Sequence, residues 1–466
     1  MKGIAFLSGF ISGLITFGIL PATAQITSDG TTNTTVNLNG NNYKILNGIQ
    51  KGNNLFHSFK EFSIPTGGSA TFNNSTDVVN IINRVTGGNI SNIDGLIKAS
   101  GSANLFLINP AGIVFGENAQ LDIGGSFFGS TAESILFEDG FEFSAVNAAN
   151  EPLLTVSVPL GLQMGSNPGG INVQGSGHNL TYFGAGINRN ASTQELNVQK
   201  GETLALVGGD INLSGAVLTA EEGSIELGSL SGREFVNLSL LEQGFTFDYS
   251  QVSNLGNISL SQKSLVDTSG NPSGNISVQA NKISITEGSL VLTQNQGNLT
   301  GGIINVNATE SLEISGYLPS VGIHSALRSE TLGTGNSGDI SVSARRLIIQ
   351  DSAVIHNNTH TQGDTGSINI NISESIQVKD TDPTNALSSI SSTTSSSGVA
   401  GNVNISTPDL LVANGAVVGS QTIGNGAGGN LTINAKRIQV SGNNNPAATA
   451  LSTASLVAGN AGHLII

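Results

Sequence analysis

A short pattern that recurs along the second half of the chain limits what this sequence can fold into. Copies of the pentad Gly-x-[Ile/Leu/Val]-x-[Ile/Val] start 28 to 36 residues apart, at Gly274, Gly302, Gly338, Gly366, Gly401 and Gly429. Apolar residues at every second position alternate with Ser, Asn and Thr, which is the pattern of a strand with one buried face. A second strand and then a third follow most pentads. Each unit therefore predicts three strands of three to five residues.

Units of this size with glycine at their corners favour the stacked coils of a parallel β-solenoid. A β-sandwich is the alternative, but it would need tight Asn-Gly or Asp-Gly hairpins between longer strands. We therefore expect an all-β chain that forms a right-handed parallel β-helix from about residue 40 to its end, with little helix. Asn and Ser beside the pentads should form hydrogen-bonded ladders along the axis. The residues predicted to face inward are Ile276, Val278, Ile340, Val342, Ile368, Ile370, Val403, Ile405, Leu431 and Ile433.

The first half of the chain differs from the second half in its aromatic residues. All 18 Phe residues lie at or before Phe247, and Tyr317 is the only aromatic residue beyond Tyr249. The runs ANLFLI (103–108) and GIVFG (112–116) are apolar at nearly every position, so both faces of these strands need cover. We expect an N-terminal module over residues 25–250 with extra strands outside the solenoid, followed by a solenoid repeat region over residues 251–466.

The two ends of the chain carry their own signals. Met1-Lys2, an apolar stretch from Ile4 to Leu20 and the small residues 22–24 are typical of a secretory signal peptide over residues 1–24. The alternative, a membrane anchor, is disfavoured because the stretch is at or below the length needed to span a bilayer. At the other end, GHLII from Gly462 restarts the pentad and stops without a polar cap, so we expect the chain to be truncated there.

The composition of the chain excludes some classes of binding partner and limits how an exported form can be stabilised. Charged residues make up 11% of the chain and the formal net charge is −15, which leaves no basic stripe for nucleic acid. No segment after the signal peptide is long and apolar enough to cross a membrane as a helix. The chain contains no Cys, so an exported form must be stable without disulfides.

Residues 83–132, NRVTGGNISNIDGLIKASGSANLFLINPAGIVFGENAQLDIGGSFFGSTA, resemble the filamentous haemagglutinin N-terminal domain. This domain is the secretion module of exoproteins exported by the two-partner route. The Asn-Arg-Val segment, the apolar strand, the Asn-Pro-x-Gly-Ile box and the Gly-Gly-Ser-Phe segment occur in the family's order. The resemblance covers residues 26–145 and extends to about residue 250, and cyanobacterial members are similar in composition.

The resemblance implies a right-handed parallel β-helix with extra-helical strands that an outer-membrane β-barrel transporter recognises in the periplasm. The family's box falls on Asn109, Pro110, Gly112 and Ile113, with Ala111 where the family commonly has Asn. Pro110 should end the strand, and the Asn109 amide should cap the corner as in an Asx turn. The box is either read by the transporter or is only a β-helix corner. The candidate recognition residues are these four together with Asn83 and Arg84.

Catalysis is the competing interpretation, because β-helices also carry polysaccharide lyases and glycoside hydrolases. Such sites need two or three converging carboxylates. Glu221 and Glu222 would point apart on a strand, Glu117 and Asp122 flank a turn, and Asp210 stands alone. We interpret all five as solvated surface residues.

His356 and His360 have the spacing of a helical zinc pair, but HNNTH lies in a Gly/Asn/Thr region and lacks the intervening Glu. We interpret both as turn residues and expect no metal or other cofactor. The leading hypothesis is a non-enzymatic exoprotein, secreted or held at the cell surface. Its rod would serve adhesion, with a cell-surface carbohydrate or a ligand on a host or neighbouring cell as the partner. The alternative is a secreted β-helical carbohydrate-active enzyme.

Overall fold

The computed structural model describes residues 25–148, 154–182, 184, 186–192, 194–240, 244–381, 386–442 and 448–466. The predicted signal peptide lies outside the described residues. Every regular element in these ranges is a β-strand, and they contain no helix long and apolar enough to cross a membrane.

The first strands run up to the middle of the N-terminal module. They are β1 Ile26–Ser28, β2 Thr34–Asn39, β3 Asn42–Asn47, β4 Ile49–Lys51, β5 Asn54–Phe62, β6 Ser69–Phe72, β7 Asn80–Val85, β8 Ser91–Ile93, β9 Leu96–Ala99, β10 Asn104–Ile108, β11 Ile113–Phe115, β12 Gln120–Asp122, β13 Phe127–Ser130, β14 Ser134–Phe137 and β15 Glu142–Ser144.

The next strands complete the predicted module. They are β16 Pro159–Gln163, β17 Ile171–Gln174, β18 Thr181–Tyr182, β19 Ile187–Asn188, β20 Leu196–Asn197, β21 Thr203–Gly208, β22 Ile211–Ser214, β23 Val217–Thr219, β24 Ser224–Ser229, β25 Phe235–Leu240 and β26 Phe245–Asp248.

The remaining strands form the repeat region. They are β27 Asn257–Ser261, β28 Leu265–Asp267, β29 Asn275–Ile285, β30 Leu290–Asn295, β31 Ile304–Ser315, β32 Tyr317–Leu318, β33 Ile323–His324, β34 Ala326–Thr331, β35 Ile340–Gln350, β36 Val354–Thr359, β37 Ile368–Lys379, β38 Ser389–Thr394, β39 Val403–Ala413, β40 Val417–Thr422, β41 Leu431–Ser441, β42 Ala450–Ser455 and β43 Leu464–Ile465.

Parallel pairing between successive coils builds a parallel β-helix, as predicted. A 20-stranded sheet, called the long sheet below, runs through both halves of the molecule, and a nine-stranded sheet from β20 to β42 forms a second wall. Parallel pairing begins where β3 meets β6 at Asn42, close to the predicted start at residue 40. Before it, β1 pairs antiparallel with β5, and β2 with β3.

The repeat strands are longer than predicted. The first two strands expected in each coil run together as one strand of 11 or 12 residues, such as β29 and β31. The register shifts between Ala280 and Lys282, where the chain bends, and pairing resumes on both sides of the bend. Ala308 and Ala344 lie in register with Ala280, so small buried side chains stand at this bend in three successive coils, and Ile372 takes the position in the next coil.

The inward-facing residues were predicted correctly. All ten predicted side chains, from Ile276 to Ile433, are at most 3% exposed. They belong to one apolar core that continues from Ile26 to Ile433 through the inside of the solenoid. Burial at about 25 cal/mol per Å² of apolar surface makes this core the main source of stability in a chain without disulfides.

The predicted side-chain ladders are present. In the N-terminal module Asn104 Nδ2 donates to Asn80 Oδ1 (3.0 Å), and Asn80 Nδ2 donates to Asn54 Oδ1 (2.9 Å). In the repeat region Asn307 Nδ2 donates to Gln279 Oε1 (2.9 Å). Each amide therefore satisfies its neighbour on the adjacent coil.

The predicted extra strands cover the outside of the long sheet in the N-terminal module. An antiparallel sheet in the order β15-β14-β16-β25-β26, called the outer sheet below, encloses a second apolar cluster. Within this cluster the rings of Phe106 and Phe128 stack 4.2 Å apart and Phe245 meets Phe128 edge-on. The Phe residues of the first half thus pack in two layers, the core inside the solenoid and the cluster under the outer sheet.

A second covering segment was not expected from the sequence. Leu180, Tyr182 and Ile187 pack on the outside of the second wall, against Leu292 and Val354 of the repeat region. This segment, residues 178–182 and 186–190, is called the strap below. It ties the N-terminal module to coils that follow it in the chain.

Candidate functional site

Asn109 sits at the corner where β10 ends, and its side chain is buried. Nδ2 donates to the Asn89 carbonyl and to Ser91 Oγ, both at 2.9 Å, while Oδ1 accepts from the Ala111 amide at 3.0 Å. These contacts include the predicted Asx turn and fasten the corner to the preceding coil. The amide is satisfied within the protein.

The other box residues shape the same corner. Pro110 and Ala111 are half-buried, and the Pro110 carbonyl accepts from the Gly169 amide at 3.0 Å. Gly112 has a φ of +126°, and a Cβ there would lie 3.1 Å from the Gly170 carbonyl, which explains why glycine is needed. Ile113 is buried and starts β11. Pro110 and Ala111 are the parts of the box that a partner could touch.

Asn83 faces the solenoid interior on β7. Its Nδ2 donates to the Phe106 carbonyl at 2.8 Å, and its Oδ1 is buried without a hydrogen-bond partner. His57 on β5 lies in register with Asn83, and its Nδ1 contacts Thr34 Oγ1 at 2.9 Å. Burial lowers the pKa of His57 to about 3, so this imidazole is neutral at physiological pH. Sequence reasoning missed His57.

Arg84 faces outward from the same strand but is buried under the outer sheet. Nε donates to Ser58 Oγ (2.8 Å), Nη1 to the Ser144 carbonyl (2.6 Å) and Nη2 to Thr31 Oγ1 (2.9 Å). The guanidinium also lies over the Phe143 ring, 4.4 Å from its centroid. One cation thus joins the segment from β1 to β2, called the cap below, to the solenoid and the outer sheet.

Asp29 supplies the negative charge near Arg84. Burial lowers the pKa of Arg84, and the charge of Asp29 opposes this shift. Burial acts to raise the pKa of Asp29, but hydrogen bonds from Ser58, Thr31 and Thr86 outweigh burial and lower it. Asn83 and Arg84, predicted as recognition residues, are therefore both inside the fold.

Glu226 is a further buried acid that the sequence analysis missed. It faces outward on β24, beneath β26, and Thr246 Oγ1 donates to its Oε1 at 2.9 Å. Burial raises its pKa to about 7. It lines a cleft of about 450 Å³ with Asp248 and Tyr249, where the outer sheet ends. Asp248, the other carboxylate at this cleft, accepts hydrogen bonds from the Ser250 amide and hydroxyl.

Another buried pair lies under the strap. Arg328 Nη2 and Glu330 Oε2 are 2.9 Å apart, and the Ile187 amide donates to Glu330 Oε1 at 2.8 Å. Burial acts to raise the pKa of Glu330, but the charge of Arg328 together with the hydrogen bonds that the carboxylate accepts outweighs burial and lowers the pKa. The signal in the sequence was an Arg and a Glu two positions apart on a strand, which places both on one face.

The interpretation of His356 as a turn residue is wrong. It lies within β36, and its Nε2 contacts Ser389 Oγ on the next coil at 2.6 Å. The polar run HNNT pairs as a strand with β34 and β38, and its Asn357 Nδ2 and Thr359 Oγ1 donate to backbone carbonyls. His360 follows the strand, and its Nδ1 contacts Ser395 Oγ at 3.1 Å. Among the residues that the structure describes, no group of three His, Asp or Glu side chains could hold a metal ion.

The carboxylates weighed as catalytic candidates do not converge. Glu117, Asp122, Asp210 and Glu221 are exposed, and Asp122 pairs with Lys98. Glu222 is half-buried, pairs with Lys200 at 2.7 Å and accepts from the Asn271 amide at 2.7 Å. Four of the five are thus surface residues, as predicted, and Glu222 has a structural role between coils.

Comparison with known proteins adds the family. A family model described as TPS secretion domain matches residues 24–278. Among solved structures, the HMW1 secretion domain from Haemophilus influenzae is similar at 18% identity and a TM-score of 0.43, over 84% of this chain and 96% of that one. A search of curated proteins gives no match. Because the family model covers more than half of the chain, the chain belongs to the TPS family, the two-partner-secreted exoproteins, as residues 83–132 predicted.

Proposed function

We propose that an outer-membrane β-barrel transporter exports this exoprotein from the periplasm and that its solenoid then serves as a rod for adhesion or surface display. The observation that carries the proposal is the TPS secretion domain match over residues 24–278, followed by a solenoid that continues to residue 465. The predicted division into residues 25–250 and 251–466 stays a prediction.

The fold suits export as an unfolded chain. Repeat coils pair with their neighbours at sequence separations of about 28 to 36 residues, so each coil can fold on the one before it as it emerges. The N-terminal module contains the longer-range contacts, such as Asn54 Nδ2 donating to the Ser157 carbonyl (2.7 Å), 103 residues away. A module that folds first would supply the template for the rod.

For the box, we propose that the transporter reads the surface of the corner formed by Pro110 and Ala111, whose shape Asn109 holds. The burial of Asn109 supports an indirect role for its side chain, and the partial exposure of Pro110 and Ala111 supports a direct one for the turn. Asn83 and Arg84 would act by keeping the module folded.

An export experiment with the full chain tests both statements. Ala111→Lys changes the corner surface, whereas Asn109→Ala removes its internal support and should cost about 1–3 kcal/mol. Asn74→Ala is the matched control, because Asn74 Nδ2 donates to the Ser100 carbonyl at another, exposed corner (2.9 Å). Thermal melting and secretion with the matched transporter are measured for each variant. Lost secretion with a near-native melting temperature in Ala111→Lys supports recognition, and normal secretion of that variant contradicts it.

A further inference from the structure

Two neighbouring register columns on the outward face of the pentad strands carry only neutral polar side chains, whereas the residues two positions earlier on the same face include Ile303 and Asp339. The two columns run along this face from β29 to β41. The first contains Ser277, Asn305, Ser341, Asn369, Asn404 and Thr432, and the second contains Gln279, Asn307, Ser343, Asn371, Ser406 and Asn434. These two columns together are called the track below.

The face next to the track does carry charged side chains. The second halves of the same long strands and their bends carry an ion-pair network in which Arg345 contacts Glu310 and Glu374, each at 2.8 Å. Further along the same face Arg437 pairs with Asp409 at 2.7 Å. Charged residues are therefore compatible with the outside of this solenoid, and the track is a distinct surface.

Two depressions lie on the track. The first is the 450 Å³ cleft at its head, which Asn275, Asn305 and Asn307 line together with the last residues of the outer sheet. The Tyr249 hydroxyl, buried and without a hydrogen-bond partner, also lines this cleft. A second depression of about 330 Å³ lies around Asn369 and Asn404.

We propose that the track binds a neutral, unbranched polysaccharide laid along the solenoid axis, with one end in the cleft below Tyr249. Sugar hydroxyls both donate and accept hydrogen bonds, as do the amides and hydroxyls of the track, whose ladder bonds leave further lone pairs and protons free. The net charge of −15 disfavours a sulfated or acidic chain. Neighbouring strands lie about 4.8 Å apart, so one polysaccharide chain along the axis can make many weak contacts with the track at once. The proposal deepens the adhesive function proposed above and rests on it.

The proposal is tested by measuring how the purified full chain binds polysaccharides, which requires neither export nor attachment to cells. The probes are immobilised dextran, mannan and a linear β-glucan, with dextran sulfate as the charged comparison. The track variant is Asn305→Lys with Asn369→Lys. The matched control is Ser284→Lys with Gln377→Lys, which adds the same charge to the neighbouring face, on β29 and β37. Thermal melting confirms that both variants are folded.

We expect the wild-type chain to bind at least one neutral probe more tightly than dextran sulfate. The track variant should bind that probe roughly tenfold or more weakly, and the control should bind it like wild type. If both variants lose polysaccharide binding equally, or if the wild-type chain binds no neutral probe, the proposal that the track is the binding site is wrong. Attachment to cells that survives in the track variant would keep the adhesive function and reject this site, whereas failure of export would reject the proposed function alone.

Discussion

One register column of the long sheet passes through both halves of the molecule and changes character between them. In the N-terminal module the outward residues of this column are Phe56, Ile82, Phe106, Phe128 and Ala205. In the repeat region they are Ser277, Asn305, Ser341, Asn369, Asn404 and Thr432. Glu226 stands between the two sets. The backbone geometry is shared, and only the side chains decide whether a face is covered.

The difference teaches what each region requires. An apolar outward face needs the outer sheet, which the chain supplies from β14, β15, β16, β25 and β26. A polar outward face needs only ladder bonds to the next coil. The module therefore depends on contacts between distant residues, whereas the rod depends mainly on contacts between adjacent coils, with the strap packed over Leu292 and Val354.

The largest expected effect comes from Arg84, which holds the layers of the module together. Arg84→Ala leaves Ser58, Thr31 and the Ser144 carbonyl without their donor in a buried place, so we expect a loss of about 3–5 kcal/mol. Hydrogen exchange should show opening of the cap and the outer sheet, with the rod still protected.

Arg345→Ala is the matched control in the rod. The Arg345 side chain is 52% exposed, so solvent screens its ion pairs and the denaturation midpoint should barely move. Equal destabilisation by the two substitutions would remove the distinction between a module held by buried contacts and a rod held by coil stacking.

The second effect is a pH dependence at Glu226, where the column changes character. The pKa of Glu226 is about 7 in the folded protein against 4.5 unfolded, so between these values the native state binds more protons. Stability contributed by this group is therefore complete below pH 4.5 and falls by about 3 kcal/mol as pH rises through 7. Glu226→Gln should match wild type at pH 4 and be more stable at pH 8. Denaturation at both pH values measures this, and parallel pH profiles would contradict it.

The third effect compares one column position in each region. Phe128→Leu removes the stacking with Phe106 and the edge contact with Phe245, and should cost about 1–2 kcal/mol. Asn305→Leu places the same side chain where the outer sheet does not cover the column, and it should change the free energy of unfolding by no more than about 0.5 kcal/mol. Urea denaturation of both variants gives the comparison. A large gain from Asn305→Leu would show that the rod face also needs apolar cover.

Strict alternation is the reason that the solenoid and its inward residues could be predicted. Every second residue of a pentad must be apolar if one face is buried, and Ile340 and Val342 follow that rule. The cover over the module was predictable because ANLFLI leaves no polar face. The corner at Asn109 was predictable because Asn-Pro specifies a turn.

The rest depended on contacts that no local pattern encodes. Arg84 is buried by residues from Thr31 to Ser144, and the Glu330 carboxylate accepts from the amide of Ile187, 143 residues earlier. The length of β29 depended on whether pairing resumes after the bend at Ala280, which the next coil decides. His356 was misassigned because its partner Ser389 lies on another coil.

The fourth comparison concerns the asparagine ladders of the two regions. Asn80 is nearly buried between Asn54 and Asn104, so Asn80→Ala leaves an acceptor and a donor unpaired away from water and should cost about 1–3 kcal/mol. Asn307 is half-exposed and bonds to Gln279 and Ser343, so water can replace it and Asn307→Ala should cost less than about 1 kcal/mol. Urea denaturation of the two single variants measures the difference. If Asn307→Ala is the more costly, the ladders of the rod contribute more than surface hydrogen bonds, and the rod is then not simply the uncovered form of the module.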